Sequence, residues 1–443
     1  MDKYHTPKLY RKRRINMLNS FLDYIANSPN QFFAVSAAEK SLVEKGFSRL
    51  YESSPFSLES NGRYYIKRNN SSLIAFTVGK DILSEGFRII ASHTDSPSIV
   101  IKPDSEILSE GCIKLNTESY GGLILSTWFD RPLSIAGRII YKEDNTIKER
   151  LVDFKRPLLT IPNLAIHLDR EVNKGRKIDK QKELLPIISL AGNDSEKFDL
   201  EDILSKKFAI DKKNILDYEL SLYDTEKPCF LGINKEFVSS RSIDDLSMVY
   251  TSLKAFEESD FSSTSVLVLV DNEEIGSRTA QGADSSFISS LLERIALAFS
   301  DKREYYLSAL ARSLMISADV AHAVHPNYPD KSDITSKVRL GGGVVLKYSA
   351  PKKYGTDGIS SSVFTDICRS SKIKYQKFTN NSNIPGGSTI GSMTSSSLGI
   401  PVIDMGIPVL AMHSVRELCA ASDITDSYKF FKSFYSYHLS FEQ

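Results

Sequence analysis

Four apolar, strand-length runs in this chain each stop at an acidic or imidazole residue. They are Ile89-Ile90-Ala91-Ser92-His93-Thr94-Asp95, Val268-Leu269-Val270-Asp271-Asn272-Glu273-Glu274, Met315-Ile316-Ser317-Ala318-Asp319 and Val409-Leu410-Ala411-Met412-His413. Runs with no polar alternation fit strands covered on both faces. Helical spacing between and after them supplies the cover: Ala283 to Phe299 carries Ile288, Leu291, Leu292, Ile295 and Leu297, and further helices are expected near Ser360 to Arg369 and Asp426 to His438. Such alternation predicts an α/β domain, a mostly parallel sheet with helices on both faces. Ligands gather at the carboxyl ends of strands in sheets of this kind, so the acidic and imidazole groups are expected to meet in one crevice.

A chain of 443 residues is too long for one ordinary core. Before the first of the four runs, Leu9 to Ile25 has helical spacing. Ser36, with Glu39 three residues on, reads as the N-cap of a second helix. Arg63 to Lys67, Leu73 to Val78 and Phe87 to Ala91 follow as short strands. From about residue 101 the texture changes to short strand-like pieces (Gly137 to Tyr141, Leu158 to Ile161, Glu219 to Tyr223) between charged or turn-rich segments such as Asp169 to Lys182. Strands at Ser265 to Val270, Leu314 to Ser317, Val344 to Leu346 and Val402 to Met405 then resume the alternation. The expected division is an α/β domain built from residues 1–100 and 235–443, interrupted by a mainly β domain at 101–234.

Lys and Arg total 56 against 55 Asp and Glu. That balance offers no electrostatic footprint for nucleic acid or an anionic membrane surface. The longest apolar runs, such as Val266 to Val270, are far short of a membrane span. Cys112, Cys229, Cys368 and Cys419 are scattered with no CxxC pairing, which argues against a disulfide framework and a cysteine-built zinc site. Met1 to Asn19 is polar and basic rather than apolar, and a cytoplasmic location is expected.

Imidazole and carboxylate together suit Zn²⁺ better than Mg²⁺ or Ca²⁺, which favour oxygen shells. A pair of metals sharing a carboxylate, roughly 3.5 Å apart, can hold a hydroxide nucleophile and polarise a carbonyl. Glu273 and Glu274 are neighbours pointing opposite ways, so one can bind metal while the other faces the water. Asp95, two residues past His93 on the same side of an extended segment, can accept the second ring N–H of His93. Taken singly, each has a plain structural alternative: a hydrogen-bonded strand-end His, a solvated Glu pair, or an Asp319 that caps a helix.

Read together, the segments resemble the aspartyl aminopeptidase family of zinc metallopeptidases. The resemblance rests on Ser92-His93-Thr94-Asp95-Ser96-Pro97, Ser126-Thr127-Trp128-Phe129-Asp130-Arg131-Pro132-Leu133 and Ile161-Pro162-Asn163-Leu164-Ala165-Ile166-His167-Leu168. It continues through Asp271-Asn272-Glu273-Glu274-Ile275-Gly276-Ser277, Ser317-Ala318-Asp319-Val320-Ala321-His322-Ala323-Val324-His325-Pro326-Asn327-Tyr328 and Ala411-Met412-His413-Ser414-Val415-Arg416-Glu417. The segments follow the family's order over about residues 90–417.

The resemblance implies two Zn²⁺ per subunit, with Co²⁺ or Mn²⁺ as possible substitutes. His93, Asp244 and Asp319 would hold one ion, and Asp244, Glu274 and His413 the other, with Asp244 bridging and Glu273 as general base. The segment Arg241-Ser242-Ile243-Asp244-Asp245 departs from the Arg-Leu-Asp-Asn of many relatives, so Asp245 is a rival for the bridge. The family's inserted domain mediates dimer contacts, and its dimers build a tetrahedral dodecamer. His167 matches a histidine that reaches a neighbouring subunit's site. His322 and His325 match site-lining histidines, and Lys347 and Tyr354 match the substrate pocket. For Lys347 the alternative is a strand-end lysine pointing to solvent. Gly387 lies in a glycine-rich turn, Gly386-Gly387-Ser388-Thr389-Ile390-Gly391, whose N–H groups could meet substrate. The implied activity is release of N-terminal amino acids from peptides, with the preference between acidic and neutral residues open. The rivals are an amidohydrolase or deacylase on the same metal frame, and an assembly protein that keeps the fold without catalysis.

Overall fold

The computed structural model describes residues 8–191, 198–260 and 262–438. It divides into two compact units. One comprises the described parts of Met1–Asp95, Pro228–Met412 and Glu417–Gln443; the other comprises those of Ser96–Lys227 together with His413–Arg416.

The first unit is built on a nine-stranded sheet. Its spatial order is Ser48–Arg49, Arg63–Arg68, Ser72–Thr77, Thr264–Val270, Phe87–His93, Leu314–Ala318, Val402–Gly406, Val344–Lys347 and Tyr375–Phe378. Thr264–Val270, Phe87–His93, Leu314–Ala318 and Val402–Gly406 run parallel to one another, whereas Ser72–Thr77 and Val344–Lys347 join antiparallel. The sheet is therefore mixed but largely parallel.

Strand Thr264–Val270 shows why the apolar runs carry no alternation. Every one of its residues is buried. Leu267 and Leu269 pack into one core with helices Gln31–Glu44, Ile243–Glu257, Gly358–Ser370 and Ala421–Tyr435. Val266, Val268 and Val270 pack into a second core with Phe287–Leu297 and Ile390–Leu398. Both faces are covered, as a parallel sheet requires. The same register sets Val270 beside His93, so two of the acidic and imidazole strand ends are neighbours. A smaller five-stranded sheet joins Cys229–Leu231, Phe237–Ser240, Glu417–Ala420, Pro408–Leu410 and Ala321–His322.

Two local expectations give way. The second helix is Gln31–Glu44, and its N-cap is Asn30, whose side chain accepts the N–H of Phe33 at 3.4 Å. Ser36 is exposed inside that helix. The helix starts earlier because Phe32, Ala34 and Val35 extend its buried stripe back beyond Ala38, and Asn is a favoured cap. Leu158 to Ile161 forms only isolated bridges, Leu133 with Leu159, Phe129 with Ile161 and Thr160 with Ile187, rather than a strand.

The second unit carries a six-stranded antiparallel sheet in the order Thr146–Asp153, Leu133–Glu143, Ile215–Asp224, Ser98–Ser109, Cys112–Tyr120, Ile187–Leu190. One core gathers Ile99, Leu115, Leu133, Ile135, Val152 and Leu220 with Leu200 and Leu204 of helix Leu200–Phe208. Among the described residues, no helix is long and apolar enough to cross a membrane.

Candidate metal centre

The site is assembled in the first unit, where strands and one helix start deliver acidic groups to His93. Strand Phe87–His93 ends on His93 itself, buried in full. Its ring Nδ1 lies 3.0 Å from the Asp95 carbonyl oxygen and 3.5 Å from Asp95 Oδ1. With Nδ1–H donated there, the lone pair sits on Nε2, and Nε2 faces Asp244 Oδ1 at 3.3 Å. Two acceptors held that close need a proton or a cation between them.

Asp244 and Asp245 open the segment Ile243–Glu257, but neither has helical backbone angles and the peptide between them is cis. The two carboxylates have different partners. Asp245 Oδ2 accepts the His93 backbone N–H at 3.1 Å, while Asp244 faces the ring nitrogen. Asp245 Oδ1 is buried with no hydrogen-bond partner among the described residues. The Asp244 N–H is donated to Glu417 Oε2 at 2.9 Å.

Glu273 and Glu274 occupy a single helical turn after strand Thr264–Val270, entered through Asn272 in the left-handed region. Asp95, wholly buried, fixes this turn: Oδ1 accepts the Glu273 N–H at 3.2 Å and Oδ2 the Glu274 N–H at 3.1 Å. Asp319 follows strand Leu314–Ala318, with its N–H on the Met405 carbonyl. It caps no helix.

Ligating atoms of His93, Asp244, Asp245 and Asp319 all lie within 4.8 Å of one another, and so do those of His93, Glu273 and Glu274. Buried carboxylates outnumber the basic groups here, and the balance shifts the acids and the imidazole upward. Burial pushes the Glu273 carboxyl up to about 7; Asp319, Asp95 and Asp244 add to this and His93 opposes it. Burial likewise drives Asp245 well above the carboxylate range. For His93, burial acts downward, but Asp245, Asp244 and Asp95 outweigh it and hold the ring well above its usual value. A buried imidazole ringed by carboxylates that favour their protonated forms fits a site made for a cation, and the His-plus-carboxylate donor set fits zinc. A bound dication would draw those protons off.

Lys347 closes the far side. It ends strand Val344–Lys347 and is 3% exposed, so the solvent-pointing alternative fails. Its Nζ lies 3.1 Å from Asp319 Oδ2 and 5.5 Å from the centre of the Tyr354 ring, and Tyr354 is itself buried. Burial pulls the ammonium down, but Asp319, Tyr354 and Asp404 hold it net above its ordinary value. His322 is exposed, with its ring against Phe378. His325 accepts the Asn327 N–H at 3.2 Å and so braces its own turn. Gly387 is exposed, and a Cβ there would meet open space.

In the second unit, His413 has a left-handed backbone, and its Nδ1 lies 2.9 Å from the Gly122 carbonyl oxygen. With Nδ1–H donated, its ring too carries the lone pair on Nε2. His167 is exposed on a turn flanked by exposed Leu164, Ile166 and Leu168.

Two supporting groups went unread in the sequence. Glu417 ends the segment Ala411 to Glu417, and nothing in its local sequence marks a role for it. Asp404 interrupts the apolar run Val402-Ile403-Asp404-Met405, and a wholly buried acid inside a strand is a signal that could have been seen. It accepts hydrogen bonds from Thr389, at the N-cap of helix Ile390–Leu398, and from the Gly355 N–H.

The comparisons agree with this chemistry. Residues 24–435 match the family model described as aminopeptidase I zinc metalloprotease (M18). A "Probable M18 family aminopeptidase 2" of Clostridium acetobutylicum is 47% identical over 96% of this chain and 100% of its own length. A protein of the same description from Ectopseudomonas mendocina is 39% identical over 96% and 99%. Among solved structures, Ape4 in its complex with Nbr1 superposes with a TM-score of 0.92 at 34% identity, covering 96% of this chain and 86% of that one. The M18 aminopeptidase of Thermotoga maritima gives 0.87 at 25% identity, covering 98% and 99%. A His-carboxylate cluster built for a cation, on a fold shared along nearly the whole chain with aminopeptidases, leads to one assignment: this protein is a zinc-dependent aminopeptidase of the M18 family.

Proposed function

We propose that the protein releases single amino acids from the N-termini of peptides, using two zinc ions per chain. His93, Asp244 and Asp319 hold one ion. Asp244 also serves the second, together with Glu274 and His413. Cobalt or manganese could take the same donors. When bound, the metal pair supplies Lewis-acid polarisation of the scissile carbonyl and acidifies a water molecule.

The chain's own residues do the rest. Glu273 takes a proton from the water and returns it to the leaving amine, as a carboxylate beside the donor set can. Asp95 holds the Glu273-Glu274 turn and the His93 ring in one arrangement. Asp244, rather than Asp245, takes the bridging position, because Asp245 is engaged with the His93 backbone N–H. Tyr354, His322 and Gly387 line the substrate pocket. His167 completes a neighbouring subunit's site, and the exposed Leu164, Ile166 and Leu168 beside it support an interface role. The S. cerevisiae mApe1 structure is a dodecamer. We extend self-assembly to this chain, as dimers formed through the 101–234 domain that build a tetrahedral dodecamer. A cytoplasmic location is part of the reading.

The observation that carries the proposal is the placement of Glu273 and Glu274, pinned by one buried carboxylate, among the atoms that gather around His93. Zinc-loaded protein should cleave aminoacyl p-nitroanilides and leave N-acyl amino acids intact. The reverse result would move the protein to the amidohydrolases. Kinetics on N-terminal Asp, Glu and Leu substrates decide the residue preference.

A further inference from the structure

The motif Ala411 to Glu417 carries His413, but its last residue has a task of its own. Glu417 begins strand Glu417–Ala420 in the first unit, opposite Ser240, and is 3% exposed. Four residues beyond Ser240, the chain has left the strand and not yet become a regular helix. Ser242 is left-handed and makes no side-chain cap, and Asp244 and Asp245 are both non-helical. The Asp244 N–H is therefore a buried donor at a helix start, where neither the helix nor the strand ladder supplies an acceptor. Glu417 Oε2 accepts it at 2.9 Å.

We infer that Glu417 is a positioning residue for the metal centre: its carboxylate fixes the Asp244 backbone so that the Asp244 side chain is held ready for the cations. The inference rests on the zinc reading above and adds a residue that touches neither substrate nor metal. The role depends on reach and acceptor capacity. Gln at 417 keeps both. Asp keeps the charge but is one methylene too short, and Ala keeps neither.

The test is zinc affinity, measured by competition with a chromogenic chelator on metal-stripped full-length protein, with the melting temperature of the metal-free protein recorded alongside. Glu417→Gln should bind zinc within about fivefold of wild type. Glu417→Asp and Glu417→Ala should bind about 10–100-fold more weakly, the usual cost of losing a group that orients a metal ligand. Wild-type affinity in folded Glu417→Asp overturns the inference, as does a Glu417→Gln variant as weak as Glu417→Ala. A lower melting temperature with unchanged zinc affinity makes Glu417 merely structural and overturns it too. Should the Ala variant not fold, the Asp and Gln variants decide alone. Wild-type protein that binds no zinc defeats the metal reading and this inference with it, a failure visible before any variant is made.

Discussion

The Asp95 carboxylate accepts the backbone N–H groups of Glu273 and Glu274, one on each oxygen, while its own residue also receives the His93 ring. One buried acid thus ties two strand ends together at the point where chemistry is expected. Asp95→Asn replaces one acceptor by an NH₂ that opposes a backbone N–H. That change should cut kcat by about 10–100-fold or more, in line with groups that orient metal ligands. An Asn variant with wild-type kcat and zinc content would show that the turn holds itself.

Glu273→Gln keeps the size and the backbone contacts of the turn but cannot carry a proton. Activity should fall by about 10²–10⁴-fold, the range for general acid–base catalysis. Zinc content, read on the same sample, should stay at the wild-type value. Full turnover with metal bound would remove Glu273 from proton transfer.

Much of this was legible in the sequence because the signals were continuous. Buried strands such as Thr264–Val270 and Leu314–Ala318 announce themselves as mostly apolar runs without alternation, and the acidic residues after them mark the site. What escaped were relationships across the chain. Nothing near Asp95 says that it will meet the backbone of Glu273, 178 residues away. Lys347 looked equally suited to solvent, because its Asp319 partner comes from another strand end. Asp244 and Asp245 looked alike because the group that sets them apart, the His93 backbone N–H on Asp245, comes from another strand end.

The misplaced helix cap offers a stability test. Asn30→Ala should cost about 1 kcal/mol, as a lost N-cap does, whereas Ser36→Ala, exposed within the helix, should be neutral or stabilising by a few tenths. Denaturant midpoints of the two variants check this. A larger loss at Ser36 would restore the sequence-based boundary.

Asp423 gives a pH dependence away from the metals. Burial pushes its carboxyl up to about 6, against the Gly341 and Gly343 N–H groups that pull it down. The fold therefore keeps a proton that the unfolded chain releases near pH 4, so this group weakens the fold as pH rises from about 4 through 6. The full effect is on the order of 3 kcal/mol, at about 1.4 kcal/mol per unit. Asp423→Asn removes that titration but sets an NH₂ against one of the two N–H groups, so its melting temperature should start below wild type and the deficit should narrow by several degrees as pH rises from about 4.5 to 7. A difference independent of pH would contradict the assignment.

The central claim is tested most directly by counting zinc in purified, buffer-exchanged protein by plasma mass spectrometry. Wild type should carry two ions per chain, His413→Ala about one, and Asp244→Ala fewer than one. Wild-type protein with no bound metal, or an Asp244→Ala variant that keeps the full complement, would contradict a shared carboxylate at the heart of the site.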